Sequence, residues 1–558
     1  MKKIRNLIAA VAGGGAALLL AIFLLSSSHN VSYFEINKNL DIFGTLYKEL
    51  NTLYVDTLNH EMLIRAGIDS MLEQIDPYTS FIAEEDAEDY RLQTTGKYAG
   101  IGALISTRGE YVIISEPYEG FPAAKAGLRA GDKILEVDGK SVRNLKTDEV
   151  SRLLKGRPGS EVTVKIKRLG ADGKESEMLF KLIREEIKIK NVSYYGFVAE
   201  GIGYIRLSNF TMRAGQEVRN ALLALENGKK LKGLVLDVRS NPGGLLDEAI
   251  NTASVFVDRN TEIVSVRGRL KEDTYTRRTA NDPVDTRLPM VVLTDANSAS
   301  AAEIVAGALQ DLDRAVVVGQ RTFGKGLVQT TKPLPYNTRI KITTAKYYIP
   351  SGRCIQAINY AERDSNGRVT KIPDSLRTPF KTRSGRIVYD GAGIEPDIKT
   401  EPDKVHQIAI TLFTRNYFFD YATEFRAVNN NIPPAKNFSL SDAEYDKFVK
   451  WLSGKDYNYT TESEKILESF KAASRKENYF ETIKNDLDSL QIRIMYDKKQ
   501  DLVKQKEQIK MFLEEEIASR YYLNTGRIEV QCRYDNDLKT AVELLSDPER
   551  IKSILQKK

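Results

Sequence analysis

Histidine is almost missing from this chain of 558 residues: there are three, His29, His60 and His406, and none lies between 61 and 405. A Ser-His-Asp catalytic site or a histidine-rich zinc site is therefore excluded from that central stretch, and any nucleophile there needs another base. Cysteine is as scarce. Cys354 and Cys532 stand far apart, so no disulfide framework organises the fold, and the sequence leaves open whether the two meet. An excess of one charge sign is missing too. The 82 basic and 76 acidic residues leave +6, too little and too dispersed to argue for a nucleic-acid partner. No internal repeat or low-complexity tract is evident. What remains is an ordinary globular composition, 42% hydrophobic and 28% charged, over a length that demands several domains.

The first 28 residues differ from the rest. Lys2, Lys3 and Arg5 precede an uncharged stretch at 7–25. As a helix that stretch would measure about 29 Å, close to the hydrocarbon thickness of a bilayer. The basic residues keep to the cytoplasmic side, which places the remainder outside. The reading is a signal anchor (transmembrane helix) at 1–28 and a location in the cell envelope, with the folded part extracytoplasmic. A cleaved signal peptide is the alternative, although no small-x-small cleavage site follows Leu25.

Beyond the anchor, the hydrophobic pattern changes three times. Apolar residues from Ile42 to Leu72 recur at helical spacing, and Asp76-Pro77 closes them with a turn. Residues 98–170 read as a small β-rich module, with Tyr111-Val-Ile-Ile-Ser115 and Val162-Thr-Val-Lys-Ile166 as strands and Pro122 to Gly127 as a short capped helix. From 201 to 400 strand and helix alternate. Gly233-Leu-Val-Leu-Asp237 and Pro289-Met-Val-Val-Leu293 are apolar runs, the signature of strands covered on both faces. After 401 the chain reads as helical, with a capping box at Ser441-Asp-Ala-Glu444 and an apolar stripe through Phe480, Ile483, Leu487, Leu490 and Ile494 that predicts core or helix-pair packing.

Three short segments could carry chemistry. Asn241-Pro242-Gly243-Gly244 follows a buried-type strand and opens a helix, where paired glycines leave N–H groups free to face an anion. Asn297-Ser298-Ala299-Ser300-Ala301-Ala302-Glu303 does the same one strand later. A serine hydroxyl there sits beside a helix N-terminus; the plainer reading is that Ser298 or Ser300 only caps the helix. Gly324-Lys325-Gly326, with Gln329 beyond it, gives a lysine little cover from its neighbours.

In this order, the segments resemble the C-terminal processing peptidases, or tail-specific proteases, which use a Ser-Lys pair. Supporting matches are Tyr54-Val-Asp56, Asp76-Pro77, Gly100-Ile-Gly102, Ala126-Gly127 with Gly131-Asp132, Tyr348-Ile-Pro350 and Gly393-Ile-Glu-Pro-Asp397. The resemblance runs from about Leu53 to Ile398. It implies Ser300 as nucleophile, Lys325 as general base and Gln329 as the residue orienting the lysine, with the Gly244 and Ala301 N–H groups receiving the oxyanion. Ala302 stands where many members have serine, outside the pair.

The physics is compatible. A serine hydroxyl needs a base within hydrogen-bond reach, and a lysine must fall about 3 units from about 10.4 to act near pH 7, which burial can supply. No metal and no organic cofactor is required.

The module at 98–170 resembles a PDZ domain, whose carboxylate loop would be Gly100, Ile101 and Gly102. The implied partners are proteins or peptides with free C-termini.

The expected fold is multidomain α/β. It comprises the anchor at 1–28, a helical segment at 29–90, a PDZ domain at 91–184, a crotonase/ClpP-like peptidase core at 185–400, and a helical extension at 401–558. For the extension a substrate platform, a homo-oligomer contact and an adaptor-binding face all stay open. Two rival functions are weighed. A catalytically inactive PDZ adaptor is disfavoured by the intact Ser300, Lys325 and Gln329. A nucleotide hydrolase is suggested by the P-loop-like Gly319 to Lys325, but position 326 is glycine where the magnesium-binding hydroxyl belongs, and a strand pattern follows.

Overall fold

The computed structural model describes residues 33–228, 230–363 and 368–556. The anchor expected at 1–28 lies outside them. Among the described residues no helix is long and apolar enough to cross a membrane. The chain divides into two compact units, at Pro77. The first holds α1 (Tyr33–Leu53) and α2 (His60–Glu73). Asn59 starts α2 by accepting the Met62 N–H at 3.0 Å, which satisfies one of the donors a helix start leaves open.

The second unit begins with β1 (Ser80–Ile82) and α3 (Ala87–Thr95). Next come β2 (Lys97–Gly100), β3 (Ala103–Arg108), β4 (Tyr111–Pro117), α4 (Pro122–Lys125), β5 (Lys133–Val137), β6 (Lys140–Ser141), α5 (Thr147–Leu154), β7 (Glu161–Leu169), β8 (Glu175–Ile183) and β9 (Glu185–Lys188). Strands β3-β4-β5-β7-β8 form one antiparallel sheet with β6 beside β5, and β2 pairs with β9. Alternation along β7 buries Val162, Val164 and Ile166 against Val150 and Leu154 of α5, a core separate from the others.

The functional centre is built on the next sheet. Its strands are β10 (Val192–Ala199), β11 (Ile202–Leu207), β12 (Gly233–Asp237), β15 (Met290–Thr294) and β16 (Val316–Gly319), with a short sixth strand at Ile398–Lys399. β10 and β11 are antiparallel; the other neighbours are parallel, with Val235 beside Val291 and Val292 beside Val317. Helices α6 (Ala214–Gly228), α7 (Leu246–Ala253) and α8 (Ala301–Asp311) connect them. Strands β13 (Glu262–Gly268) and β14 (Tyr275–Arg278) leave this sheet and join β17 (Leu327–Pro333), β18 (Arg339–Tyr348) and β1 in a second one.

The apolar runs of β12 and β15 serve both faces by strict alternation. Leu234, Leu236, Met290 and Val292 meet α6, α7 and α8 on one side. Val235, Val291 and Leu293 meet residues from the far end of the chain on the other. That end is helical: α9 (Gln407–Thr414), α10 (Tyr417–Val428), α11 (Asp442–Leu452), α12 (Glu462–Lys476), α13 (Phe480–Lys499), α14 (Asp501–Lys504), α15 (Lys506–Tyr534), α16 (Asn536–Leu545) and α17 (Pro548–Leu555). α11 opens where the capping box predicts, with Ser441 Oγ accepting the Glu444 N–H at 3.2 Å. Helices α9 to α11 and α15 share an aromatic core around Phe418, Tyr421 and Phe448.

α16 and α17 do something the sequence does not announce. Leu538, Ala541, Leu544, Leu545 and Ile551 cover the second face of the central sheet, so part of the extension completes the core. The stripe on α13 is only partly packed. Leu487 is buried, whereas Leu490 lies 47% exposed. Both cysteines are unpaired.

Candidate functional site

The site forms where β12 and β15 end. A parallel sheet directs the loops after its strands to one edge, and both loops are tightly prescribed here. The turn after β12 cannot carry side chains at its glycines. Gly243 has φ +95°, and a Cβ there would lie 2.7 Å from Ser300 Cβ and 2.9 Å from the Ala301 nitrogen. At Gly244 (φ +147°) it would lie 2.3 Å from the Phe210 carbonyl oxygen. The Gly243 contacts press the 241–244 turn onto the start of α8, and the Gly244 contact presses it onto the Phe210 backbone. Two bonds fasten it: the Ala299 N–H donates to the Asn241 carbonyl (2.9 Å), and Ser298 Oγ donates to the Val238 carbonyl (2.8 Å).

The two serines thereby separate. Ser298 is fully buried and its hydroxyl is spent on Val238, Asp295 and the Asp295 N–H. Ser300 sits at φ +55°, ψ −114°, a backbone region that L-residues rarely occupy, and its side chain faces the cavity described below. It stands at the N-cap of α8 in a capping box with Glu303, which accepts its N–H, and from that position its side chain lines the cavity.

A buried carboxylate binds this turn to the lysine loop. Glu303, 0% exposed, accepts the N–H groups of Ser300 (2.8 Å), Gly324 (2.7 Å) and Lys325 (2.8 Å), and the Thr322 hydroxyl (2.6 Å). Burial pushes its pKa up to about 7, while the four donors pull the other way. Tyr347, also buried, extends its hydroxyl to the carbonyl oxygens of Lys325 and of Ser300 (3.2 Å). The Lys325 ammonium stands 4.2 Å from the centre of the Tyr78 ring. Lys325 precedes β17, a strand where a P-loop lysine would need a helix, which disposes of the nucleotide-hydrolase rival on local structure.

A cavity of about 590 Å³ collects Ser300, Ala301, Gly244, Lys325 and Gln329. Pro242, Leu245, Leu246, Ile304 and Leu327 add apolar wall. Of these residues, Gly244 and Ala301 carry N–H groups with no acceptor among the described residues. Gln329 donates to Thr343 Oγ1 at 3.2 Å. Such a chamber can place a hydroxyl, an amine and two N–H donors around one carbonyl group.

Gly100, Ile101 and Gly102 are not part of it. Gly100 ends β2, and Ile101 and Gly102 turn into β3; all three are buried, and the Ile101 and Gly102 carbonyls accept the Ala123 and Tyr118 N–H groups, each at 2.8 Å. Two residues central to the cavity's geometry escape sequence reasoning: Glu303 and Tyr347. Only Glu303 leaves a trace, standing three residues after Ser300 in a capping-box pattern.

Comparison with known proteins identifies the family. Residues 201–363 match the model of peptidase family S41, 113–168 match a PDZ domain, and 408–545 match the C-terminal helical domain of a probable PDZ-protease. A carboxy-terminal-processing protease of Bartonella bacilliformis is 38% identical over 64% of this chain and 81% of its own. A probable CtpA-like serine protease of Staphylococcus aureus is 33% identical over 71% of this chain and 76% of its own. Among solved structures, the photosystem II D1 C-terminal processing protease aligns at 27% identity over 65% of this chain and 92% of its own, with a TM-score of 0.34. The chain belongs to the S41 family of carboxy-terminal-processing serine proteases, and carries the PDZ and C-terminal helical domains of a PDZ-protease.

Proposed function

We propose that the chain is a serine endopeptidase that cleaves extracytoplasmic proteins chosen by their C-terminal tails, working from a crotonase/ClpP-like core. Ser300 Oγ attacks the scissile carbonyl carbon while Lys325 Nζ accepts its proton, and Gln329 orients the amine. The oxyanion is received by the Gly244 and Ala301 N–H groups, each worth about 3–4 kcal/mol in the transition state. Collapse expels the amine with the proton held by Lys325, and water then releases the acyl group by the same route in reverse. The PDZ loop at Gly100, Ile101 and Gly102 binds the substrate's terminal carboxylate, and the N-terminal segment anchors the enzyme to the membrane.

The observation that carries this reading is the single cavity lined by Ser300, Lys325, Gln329, Gly244 and Ala301. The test is cleavage of an unstructured protein bearing an apolar C-terminus. Wild type should cleave it, and Ser300→Ala and Lys325→Ala should each be inactive at unchanged melting temperature. Cleavage that survives Ser300→Ala would overturn the proposal.

A further inference from the structure

The glycine turn is braced from a second direction, by the end of the chain. Arg239 lies between Asp237, the last residue of β12, and Asn241. Its guanidinium is 18% exposed and holds three carboxylates. It donates to Asp237 through Nε (3.0 Å) and Nη2 (2.6 Å), to Asp535 through Nη1 (3.0 Å) and Nη2, and to Asp537 through Nη1 (3.1 Å). Asp237 is itself fixed by the Tyr204 hydroxyl at 2.7 Å. Burial works against the arginine's charge, but Asp237 and Asp535 outweigh it and hold Arg239 well above the ordinary value.

Asp237 ties the arginine to the central sheet, through its own strand and Tyr204. Asp535 and Asp537 tie it to the C-terminal helices. They sit where α15 gives way to α16, the helix packed on the central sheet, and Asp535 also caps α16 by accepting the Leu538 N–H at 2.9 Å. On the opposite side the segment is tied to the nucleophile turn through Val238, Ser240 and Asn241: Ser240 donates twice to Asp295, at 2.8 and 2.9 Å. Residues 238–241 are thus clamped between the Ser300 turn and the C-terminal helices.

We propose that Asp535 and Asp537 are positioning residues for peptide cleavage, which fix Arg239 and thereby hold the Gly244 N–H at the distance from Ser300 that the oxyanion requires. This rests on the peptidase reading above. The C-terminal helices then set the donor geometry of the site without touching substrate.

The test is the full-length Asp535→Asn/Asp537→Asn variant. Asparagine is an equally good helix cap, so α16 keeps its start while the clamp loses both charges. Displacing a catalytic group by about 1 Å costs on the order of 100-fold, so kcat should fall about 10- to 100-fold with KM within twofold. The rate at which a fluorophosphonate labels Ser300 should fall in parallel. A merely structural role would lower the melting temperature and leave kcat per folded molecule unchanged, and that result overturns the proposal. Should the double variant not fold, Asp537→Asn alone leaves the cap and the Asp535 bridge; a kcat reduced about threefold and restored by Asp537→Glu supports the clamp, and an unchanged kcat refutes it. Failure of the peptidase reading looks different: wild type would not cleave, or Ser300→Ala would.

Discussion

Replacing Glu303 by glutamine tests whether one carboxylate holds the Ser300 turn and the lysine loop in register. Glu303 uses both oxygens twice: Oε1 accepts Thr322 and Gly324, Oε2 accepts Ser300 and Lys325. Glutamine offers one oxygen and one NH2: with the NH2 at the Oε2 site the Ser300 and Lys325 N–H groups both face a donor, and with it at the Oε1 site the Gly324 N–H does, since the Thr322 hydroxyl can turn to accept. Each buried, unsatisfied donor costs about 1–3 kcal/mol. Relief comes by moving the Ser300 or the Lys325 segment, and the expected loss is about 100- to 1,000-fold in kcat/KM, near 3–4 kcal/mol.

The same group sets a pH dependence. Its folded-state pKa of about 7 lies above the ordinary 4.5, so its contribution to stability is fully present below 4.5 and is lost as pH rises through 7. That shift corresponds to about 3 kcal/mol. Activity runs the opposite way, because only the carboxylate accepts all four bonds. Wild-type kcat/KM should therefore climb through pH 7, and the stability gap between wild type and Glu303→Gln should shrink over the same window. The assays are steady-state cleavage of a fluorogenic unstructured substrate from pH 5 to 9 and urea unfolding across the same range. A Glu303→Gln enzyme within threefold of wild type, with an unaltered pH profile, would refute the reasoning.

Ser300→Gly should abolish cleavage yet raise stability by about 1 kcal/mol, since glycine alone is at ease near φ +55°; Ser300→Ala should abolish cleavage without that gain, and calorimetry separates the two. Gly243→Ala should cost more than about 2 kcal/mol and nearly all activity, because its Cβ would lie 2.7 Å from both Ser300 Cβ and the Ala299 oxygen; urea unfolding and peptide cleavage measure both. Asp311→Asn should cost about 3–5 kcal/mol by stranding Arg353, its fully buried partner at 2.8 Å. Cleavage per folded molecule should persist, as read from activity against the folded fraction in urea.

Much of this was legible in the sequence wherever a local pattern has one physical cause. β12 and β15 read as doubly covered strands because all five residues of each are buried, and α11 read from its capping box. The partners of those surfaces were not legible. An amphipathic helix records that it has a buried face, not what covers it, so nothing in residues 536–555 points to strands more than 200 residues earlier. The choice between Ser298 and Ser300 had the same limit. Both stand in one turn, and only the position of Val238 and Asp295 in space shows that Ser298 is committed. Glu303 was visible as a capping partner, but its bonds to Gly324 and Lys325 span 21 and 22 residues and depend on the loop's return. Tyr347 carried no signal, being one more aromatic residue in a strand.

The pattern of bonds explains why the site tolerates a strained serine. The Ser300 turn is tied to the glycine turn through Val238 and Asn241, and to the lysine loop through Glu303 and Tyr347; the glycine turn is tied to the helices through Arg239. Ser300 therefore cannot relax its backbone without breaking bonds in at least two of these segments at once. A conformation costing about 1–3 kcal/mol is held by several buried hydrogen bonds, each of comparable size. The strain that points the hydroxyl into the cavity is maintained by the same contacts that bring the amine and the two N–H groups to its walls, so reactivity and rigidity at this site have one structural source.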